Sequence, residues 1–267
     1  MSGHNGCYHM RGMPYVDLHC HILPGLDDGA RTLADAVRYA RVLDAEDVLD
    51  VACTSHIKRA HFPVDLYELA GRRAELQAAI RAEGLNVTLH PGGELAHHDA
   101  LELPDRELEL IAQGPAHARW LLLECPFRGL DDDFDAAVER LTALGYGLLL
   151  AHPERTVDGD LSRLDPHIEA GALLQVNVSS LLGAHGPNAQ RIGARLVQTG
   201  RAYCLASDTH PGTREEILPY GHDALLRLGV SDVQAFRLTQ SNPRFLLREG
   251  NPRLALPETE DRANRTR

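Results

Sequence analysis

A chain of 267 residues with a hydrophobic fraction of 43% can build one large α/β domain or two small ones around a substantial core. Its formal net charge of −11, from 38 acidic and 27 basic residues, argues against a general nucleic-acid or membrane-surface binder, so no nucleic-acid partner is expected. No apolar run approaches the roughly 18 residues that span a bilayer, so membrane insertion is not expected either.

The N-terminal segment lacks the apolar core that signal peptides contain. We therefore expect residues 1–14 to be a disordered leader, with Met1, Met10 and Met13 as alternative starts. Five cysteines are scattered along the chain without CxxC pairs, which favours reduced thiols over a disulfide framework. Both observations indicate a cytoplasmic protein.

Seven short apolar runs with strand character alternate with longer patterns in which apolar residues recur every three or four positions. The strands are predicted at 15–21, 48–56, 86–94, 120–126, 147–153, 173–178 and 202–210. The intervening helices are predicted at 33–45, 65–83, 134–144, 161–170 and 188–199. Helices in 215–248 are expected to pack outside, and the Pro/Arg-rich stretch 250–267 to be a disordered tail. This alternation indicates one α/β domain at 15–249 with a parallel sheet, open or closed, covered by helices.

Polar side chains that can bind metal stand at the ends of six of the seven predicted strands. They are His19, His21, His56, Glu94, Glu124, His152, Asp208 and His210. In a (β/α) barrel the C-terminal strand ends converge on one mouth, whereas an open doubly wound sheet concentrates its site near one switch point. Ligands on almost every strand therefore favour the barrel.

Together with Asp28, these side chains make nine nitrogen and oxygen ligands without a thiolate, a set that suits Mn, Fe or Zn. His19 and His21 stand two apart on a strand, so they leave the same face. One such pair is weak evidence alone. Nine together are stronger evidence, because burying unpaired carboxylates costs several kcal/mol each.

The motifs "DLHCHILPGLDDG", "TSH", "GGE", "LLLEC", "AHPER", "QVN" and "ASDTH" follow one another from about Tyr15 to about Phe245. In this order they resemble the polymerase-and-histidinol-phosphatase (PHP) superfamily. Within it, they resemble the manganese-dependent protein-tyrosine phosphatases of bacterial capsule and exopolysaccharide loci, the CpsB/CapC family. The resemblance implies a PHP-type distorted (β/α)7 barrel with three divalent metal ions at the C-terminal strand ends. Mn is the first expectation, with Fe and Zn as alternatives.

The resemblance also implies roles for individual residues. The first metal would be held by His19, His21, Glu94 and Asp208. Glu94 would bridge to the second metal, which is completed by Glu124 and His152. The third metal would be held by Asp28, His56 and His210. Arg155 would grip the substrate phosphate, and the catalytic group would comprise Arg155, Asp208 and His210.

The activity implied is hydrolysis of phosphotyrosine on a protein partner, the expected one being the tail of a bacterial tyrosine kinase. We hypothesise in-line attack on phosphorus by a hydroxide that bridges metal ions, while Arg155 stabilises charge on the phosphoryl oxygens. Lys58 and Arg59 either attract an acidic phosphorylated tail or are solvated loop charges. Arg214 is a further candidate phosphate contact.

Four other polar residues have predicted supporting or peripheral positions. Asp17 is expected to orient His19. Asp27 is expected to shape the turn before the third-metal ligand. Asn177 is expected to line the mouth, and His97 to lie in a surface loop.

Several alternatives compete with this interpretation. "CTSHIKR" has the Cys-x5-Arg spacing of thiol-dependent tyrosine phosphatases between Cys53 and Arg59, but it lacks their glycine-rich turn. Cys20 alternates away from its neighbouring histidines and is expected to pack in the wall. A histidinol-phosphate or other small-molecule phosphomonoesterase would use the same ligands. A nuclease domain is disfavoured by the acidic balance, and a catalytically dead scaffold by the complete ligand set.

Overall fold

The computed structural model describes residues 13–157 and 161–255. Within them, nine parallel strands form two sheets. The strands are β1 (Tyr15–Cys20), β2 (Val48–Cys53), β3 (His56–Ile57), β4 (Thr88–His90), β5 (Glu94–Ala96), β6 (Trp120–Glu124), β7 (Gly147–Ala151), β8 (Leu173–Asn177) and β9 (Ala202–Ala206). One sheet has the order β1-β2-β4, and the other has the order β3-β5-β6-β7-β8-β9.

The helices follow the strands along the chain. They are α1 (Leu33–Ala45), α2 (Leu69–Ala82), α3 (His97–Glu102), α4 (Asp105–Ile111), α5 (Asp132–Ala143), α6 (Asp165–Glu169), α7 (Val178–Leu181), α8 (Gly186–Gln198), α9 (Leu218–Arg227), α10 (Asp232–Phe236), α11 (Asn242–Glu249) and α12 (Pro252–Ala255). A π-helical turn, Arg237–Ser241, joins α10 to α11. No helix of 13–157 or 161–255 is long and apolar enough to cross a bilayer.

The predicted parallel strands are present, but the second and third of them are each broken in two. β2 stops at Cys53 and pairing resumes at β3, while β4 stops at His90 and pairing resumes at β5. The second break contains Pro91, which has no N–H for the ladder. It also contains Gly93, where an added Cβ would lie 2.9 Å from the side chains of Ile57 and Ile111. The breaks divide the strands into two sheets, so the parallel α/β architecture is confirmed, whereas the closed (β/α)7 barrel stays a prediction.

The two sheets meet where β1 and β9 end. Cys20 forms an isolated parallel bridge with Thr209. The amide of His21 donates to the Thr209 carbonyl at 2.9 Å, and the amide of Asp208 donates to the His19 carbonyl at 2.8 Å. These hydrogen bonds place the side chains that follow the first strand directly beside those that follow the last.

Apolar side chains are buried on both faces of the strands, as parallel sheets require. On β6, Trp120 and Leu122 join a compact interior cluster with Leu149. The alternate residues Leu121 and Leu123 join the larger cluster that includes the helices. The fully buried Trp120 also donates its indole N–H to the Leu246 carbonyl at 3.0 Å, which ties α11 to the interior.

The predicted boundaries hold for α1, and α9, α10 and α11 lie in the predicted helical stretch 215–248 to within one residue, whereas α3, α4 and α7 were not predicted. The expectation of a disordered tail from residue 250 is wrong for 250–255. Asn251 is buried and its amide donates to the Ala118 carbonyl at 3.1 Å, after which α12 begins. The predicted leader and tail otherwise lie outside the described residues, apart from Met13 and Pro14.

Candidate metal centre

The turn after β1 returns the chain to the end of that strand. The Gly25 amide donates to the Ala30 carbonyl at 2.8 Å, and the Ala30 amide donates to the His21 carbonyl at 3.1 Å. Gly25 has a φ of 74°, a conformation that glycine adopts without steric cost. Gly29 passes so close to β1 that an added Cβ would lie 2.2 Å from the His21 carbonyl oxygen. This close approach brings the two aspartates of the turn beside the strand's histidines.

Four buried donor atoms converge between β1, β5 and the segment after β9. Nε2 of His19 lies 3.2 Å from Nε2 of His21, 3.3 Å from Glu94 Oε2 and 3.5 Å from Asp208 Oδ1. Nε2 of His21 lies 3.3 Å and 3.4 Å from the same two oxygens. Ligand atoms about 2.1 Å from a metal are about 3.4 Å apart at the corners of a tetrahedron. The spacing of this four-atom cage therefore fits a cation.

The electrostatics of the cage favour positive charge inside it. Burial disfavours the imidazolium form, but Glu94 and Asp208 outweigh it and raise the pKa of His19. Asp208 and Asp27 likewise raise the pKa of His21 well above its usual range. Despite burial, the histidines hold the pKa values of Asp208 and Glu94 well below the ordinary carboxyl range. The same carboxylates that favour the protonated histidines would favour a bound metal ion, which competes with protons for the ring nitrogens.

Asp27 fixes the orientation of the second histidine. Its Oδ2 accepts from His21 Nδ1 at 2.8 Å and from the His56 amide at 2.8 Å, and its Oδ1 accepts from the Gly29 amide at 3.0 Å. An imidazole that donates through Nδ1 keeps Nε2 available as a ligand atom. Asp27 thus shapes the turn, as predicted, and also directs His21 into the cage.

A second group of donors lies at the outer side of the cage. Oδ1 of Asp28 is 3.1 Å from His210 Nε2 and 3.4 Å from His56 Nε2. The imidazole of His56 stacks on Phe62, with ring centroids 5.2 Å apart and an interplanar angle of 4°. One group whose donor atoms are close enough to share an ion is formed by Asp28, His56 and His210 together with His21.

Glu94 stands at the centre of the whole arrangement. Its Oε1 lies 2.8 Å from His152 Nε2, and its Oε2 lies 2.8 Å from His56 Nδ1. Neither Oε2 nor that Nδ1 makes a hydrogen bond of acceptable geometry within the described chain, although both are buried. Buried polar atoms without hydrogen bonds are costly, so this pair fits a bound cation better than an empty site. Glu124, which forms a further group with His56 and Glu94, is 3.1 Å from Lys58 Nζ.

Two of the candidate ligands have left-handed backbone conformations. The φ angles of His152 and Asp208 are 36° and 52°. For residues other than glycine such a conformation costs on the order of 1–3 kcal/mol, and it concentrates at functional sites. His152 directly follows β7 and lies beside Glu94, whereas Asp208 stands two residues after β9 and lies beside His19 and His21.

Two arginines stand beside the cage in a cleft of about 190 Å³. Nη1 of Arg155 is 2.8 Å from Asp208 Oδ2, and Nη2 of Arg214 is 3.2 Å from Asp208 Oδ1. The guanidinium of Arg155 lies 4.4 Å above the ring centroid of Phe127, in cation–π geometry. Phe62 and Lys58 also line the cleft. Charged donors that converge beside carboxylates and imidazoles suit a phosphate anion next to cations.

Residues 15–247 match the family model for capsular polysaccharide synthesis, CpsB/CapC. The chain belongs to the CpsB/CapC family. Among its relatives, the CapC protein of Staphylococcus aureus is 28% identical over 207 residues, which cover 76% of this chain and 80% of that protein. The tyrosine-protein phosphatase YwqE of Bacillus subtilis is 27% identical over 73% of this chain and 77% of its own.

Solved structures show a similar fold. A chain from the crystal structures of YwqE from Bacillus subtilis and CpsB from Streptococcus pneumoniae, metal-dependent tyrosine phosphatases, superposes with a TM-score of 0.75. It is 24% identical and covers 87% of this chain and 94% of its own. An organophosphorus hydrolase from Deinococcus radiodurans superposes with a TM-score of 0.52 at 16% identity, covering 88% and 93%. The CpsB/CapC chain thus shares its α/β fold with this tyrosine phosphatase chain and with the organophosphorus hydrolase.

The CpsB/CapC chain brings all nine sequence-predicted metal ligands together, in overlapping groups. His152 groups with His19 and Asp208, so the assignment of particular ligands to particular ions stays a prediction. Among the predicted phosphate contacts, Lys58, Arg155 and Arg214 line the cleft. Arg59 does not, because it pairs with Glu107 on α4.

Two of the supporting predictions are wrong. Asp17 does not touch the imidazole of His19. It accepts from that residue's amide and from both the amide and the hydroxyl of Ser207. His97 does not lie in a surface loop, because it begins α3 and is 8% exposed, packed against Phe134.

The thiol-dependent alternative is excluded by the position of Cys53. Burial raises the pKa of its thiol to about 12, so it is not a thiolate at neutral pH. Cys20 is also completely buried, as expected of a packing residue. The four cysteines among the described residues are all free.

The sequence interpretation missed three contributors to the site. Gln175 accepts from His19 Nδ1 at 3.1 Å, in the position expected for Asp17. Phe62 and Phe127 form aromatic sides of the cleft. The motif "QVN" at the end of β8 was the available signal for Gln175, whereas nothing in the sequence indicated the two phenylalanines.

Proposed function

We propose that this protein is a metal-dependent phosphatase that hydrolyses phosphotyrosine on proteins. The observation that carries the proposal is the four-atom cage of His19, His21, Glu94 and Asp208 beside two arginines in an open cleft. Membership of the CpsB/CapC family, with relatives named tyrosine-protein phosphatases, supports the same activity.

The chain offers ligands for three divalent ions. We assign the first to His19, His21, Glu94 and Asp208, the second to Glu94, Glu124 and His152, and the third to Asp28, His56 and His210. Mn is the proposed metal, with Fe or Zn as alternatives, because the donors are nitrogen and oxygen without thiolate. We further infer that the two sheets form the wall of one distorted (β/α)7 barrel with these ligands at its mouth.

Bound divalent ions would lower the pKa of water and neutralise charge on phosphoryl oxygens. The chain's own part is to bind and orient the phosphate. Arg155 and Arg214 present N–H donors to the cleft, and Asp208 holds both guanidinium groups in place. Phe127 beneath Arg155 restricts its movement further. These donors would stabilise the charge that spreads over the phosphoryl oxygens during transfer.

An aryl phosphate fits the cleft better than an alkyl phosphate. Phe62 lines the cleft with one face against His56, so its ring offers an apolar surface to a phenyl group. The tyrosine leaving group, with a pKa near 10, is also a better leaving group than an aliphatic alcohol. Lys58 would attract an acidic segment, and the proposed partner is the phosphorylated tail of a bacterial tyrosine kinase in the cytoplasm.

The test compares two substrates on the full chain, without and with added metal. Metal-stripped protein is assayed with a phosphotyrosine peptide and with histidinol phosphate, before and after addition of Mn²⁺. Asp208→Asn removes a cage charge while keeping a residue that tolerates positive φ. Asp47→Asn is the matched control, because exposed Asp47 also has a positive φ of 55° and lies outside the site.

We expect Mn²⁺-dependent turnover that prefers the phosphotyrosine peptide in the wild type and in Asp47→Asn. The turnover rate of Asp208→Asn should be at least about 100-fold lower, because losing one electrostatic contact in a catalytic site typically has an effect of this size. Turnover that survives chelation would contradict metal dependence. Faster turnover of histidinol phosphate would instead support the small-molecule phosphomonoesterase alternative.

A further inference from the structure

A short chain of side-chain amides connects two ligands of the cage from behind. Oε1 of Gln175 lies 3.1 Å from His19 Nδ1, and Nε2 of Gln175 donates to Asn177 Oδ1 at 2.7 Å. Nδ2 of Asn177 then donates to Asp208 Oδ2 at 2.7 Å. All of these side chains are at most 2% exposed, so water does not compete for the hydrogen bonds. Strand β8 thus links the ligand from β1 to the ligand that follows β9.

The carboxylate of Asp208 determines the direction of each hydrogen bond in this series of side chains. The ionised carboxylate of Asp208 can only accept, so Asn177 must present its NH₂ group there. The carbonyl of Asn177 therefore faces Gln175, which must donate its own NH₂ group. The carbonyl of Gln175 is left facing His19, whose Nδ1 must carry a proton. Nε2 of His19 is then the ring atom directed at the cage.

We propose that Gln175 and Asn177 are positioning residues that fix the ring orientation and the tautomer of His19 and the rotation of the Asp208 carboxylate for cation binding. The proposal rests on the proposed metal centre. The backbone of Asn177 is itself anchored, because its amide donates to Oε1 of the buried Glu154 at 3.0 Å. Outer partners of this kind typically contribute 10- to 100-fold to metal affinity.

The test measures Mn²⁺ affinity by titration calorimetry on the full chain. The variants are Gln175→Met, Asn177→Leu and the double variant, all close in shape to the native side chains. The matched control is Gln113→Met, because Gln113 is 1% exposed and its side-chain NH₂ and carbonyl groups make no hydrogen bond within the described chain. Thermal unfolding of the metal-free proteins reports separately on folding.

Each single variant should bind Mn²⁺ at least about tenfold more weakly. The double variant should be little worse than the weaker single, because either substitution breaks the same hydrogen-bonded chain. Gln113→Met should bind like the wild type. Unchanged affinity in the single variants, or losses that multiply in the double variant, would overturn the proposal. A wild type that binds no Mn²⁺ would instead refute the metal centre on which the proposal rests.

A second measurement needs no variant. Nitrogen-15 NMR of histidine-labelled wild-type protein loaded with Zn²⁺ should show His19 protonated at Nδ1 and metal-bound through Nε2. The Nδ1 proton should exchange slowly with solvent, because Gln175 covers it. The opposite tautomer would refute the proposed direction of these hydrogen bonds, even if a variant failed to fold.

Discussion

Replacing Asp27 with asparagine should destabilise the metal-free protein by about 3 kcal/mol. The Asp27 carboxylate serves three donors at once, namely His21 Nδ1, the His56 amide and the Gly29 amide. An asparagine can keep its oxygen towards His21 and His56, but it must then turn its NH₂ group towards the Gly29 amide. One hydrogen bond is lost, and two lose the charge of the acceptor.

The magnitude follows from these three contacts. A hydrogen bond to a charged group is about twice as strong as a neutral one, so each retained contact weakens by about 1 kcal/mol. An unpaired buried N–H, here that of Gly29, costs about a further 1 kcal/mol or more. For a chain of this size, about 3 kcal/mol corresponds to a fall in Tm of about 6–12 °C.

The stability difference between the wild type and Asp27→Asn should depend on pH in a defined direction. Despite burial, His21 lowers the folded pKa of Asp27, so its contribution is present above the unfolded value of about 3.9 and is lost as pH falls through the folded value. The raised pKa of His21 gives a contribution that is complete below about 6.5 and is lost as pH rises through the folded value. The difference between wild type and variant should therefore be greatest between about pH 4 and 6.5.

The assay is thermal unfolding of the metal-free proteins, followed by circular dichroism at pH 6 and pH 9. Asp28→Asn is the matched control, because this neighbouring carboxylate is 57% exposed and its ion pairs with histidines are worth at most about 1 kcal/mol. Asp28→Asn should weaken Mn²⁺ binding while leaving the metal-free Tm nearly unchanged. Equal destabilisation by the two variants would refute the assignment of Asp27 as a structural partner and Asp28 as a ligand.

Arg155→Ala should lower kcat/KM for a phosphotyrosine peptide by about 100-fold or more, whereas Arg59→Ala should stay within about twofold, because Arg155 lines the cleft and Arg59 does not. Similar losses in both would contradict the proposed phosphate contact. Gly29→Ala should abolish Mn²⁺ binding in calorimetry, since the added Cβ overlaps the His21 carbonyl. Wild-type Mn²⁺ affinity in this variant would show that the turn can move away from His21 without harming the site, contrary to the prediction. Cys53→Ser should retain turnover with Mn²⁺, and its near-complete loss with metal binding intact would restore the thiol mechanism.

The clustering of the nine candidate ligands could be predicted from sequence because its physical cause is local. Parallel strands end at one edge, and residues such as His19 and His21 alternate with wall residues at a fixed period of two. Asp28 joins the candidate set from its place in the turn, but its assignment to the third metal came only from the family resemblance. Periodicity gives no reason to separate it from Asp27, whose role depends on the return of the chain to His21.

The errors arose where residues distant in sequence decide a contact. Asp17 lies on the expected strand, but Ser207, which is 190 positions away, takes both of its oxygens, and Gln175 orients His19 instead. His97 follows a strand as a loop residue would, yet α3 begins there and Phe134 of α5 packs against it. The strand breaks likewise depend on close packing at Gly93, which no periodicity indicates.

Anomalous diffraction from a crystal grown with Mn²⁺ would show directly whether the cage binds a metal ion. We expect an anomalous peak inside the cage, within about 2.3 Å of Nε2 of His19 and His21 and of the carboxylates of Glu94 and Asp208. Additional peaks, of lower occupancy, are expected next to Glu124 and Asp28. A cage without anomalous density, in crystals of protein that hydrolyses a phosphotyrosine peptide, would contradict the proposed metal centre.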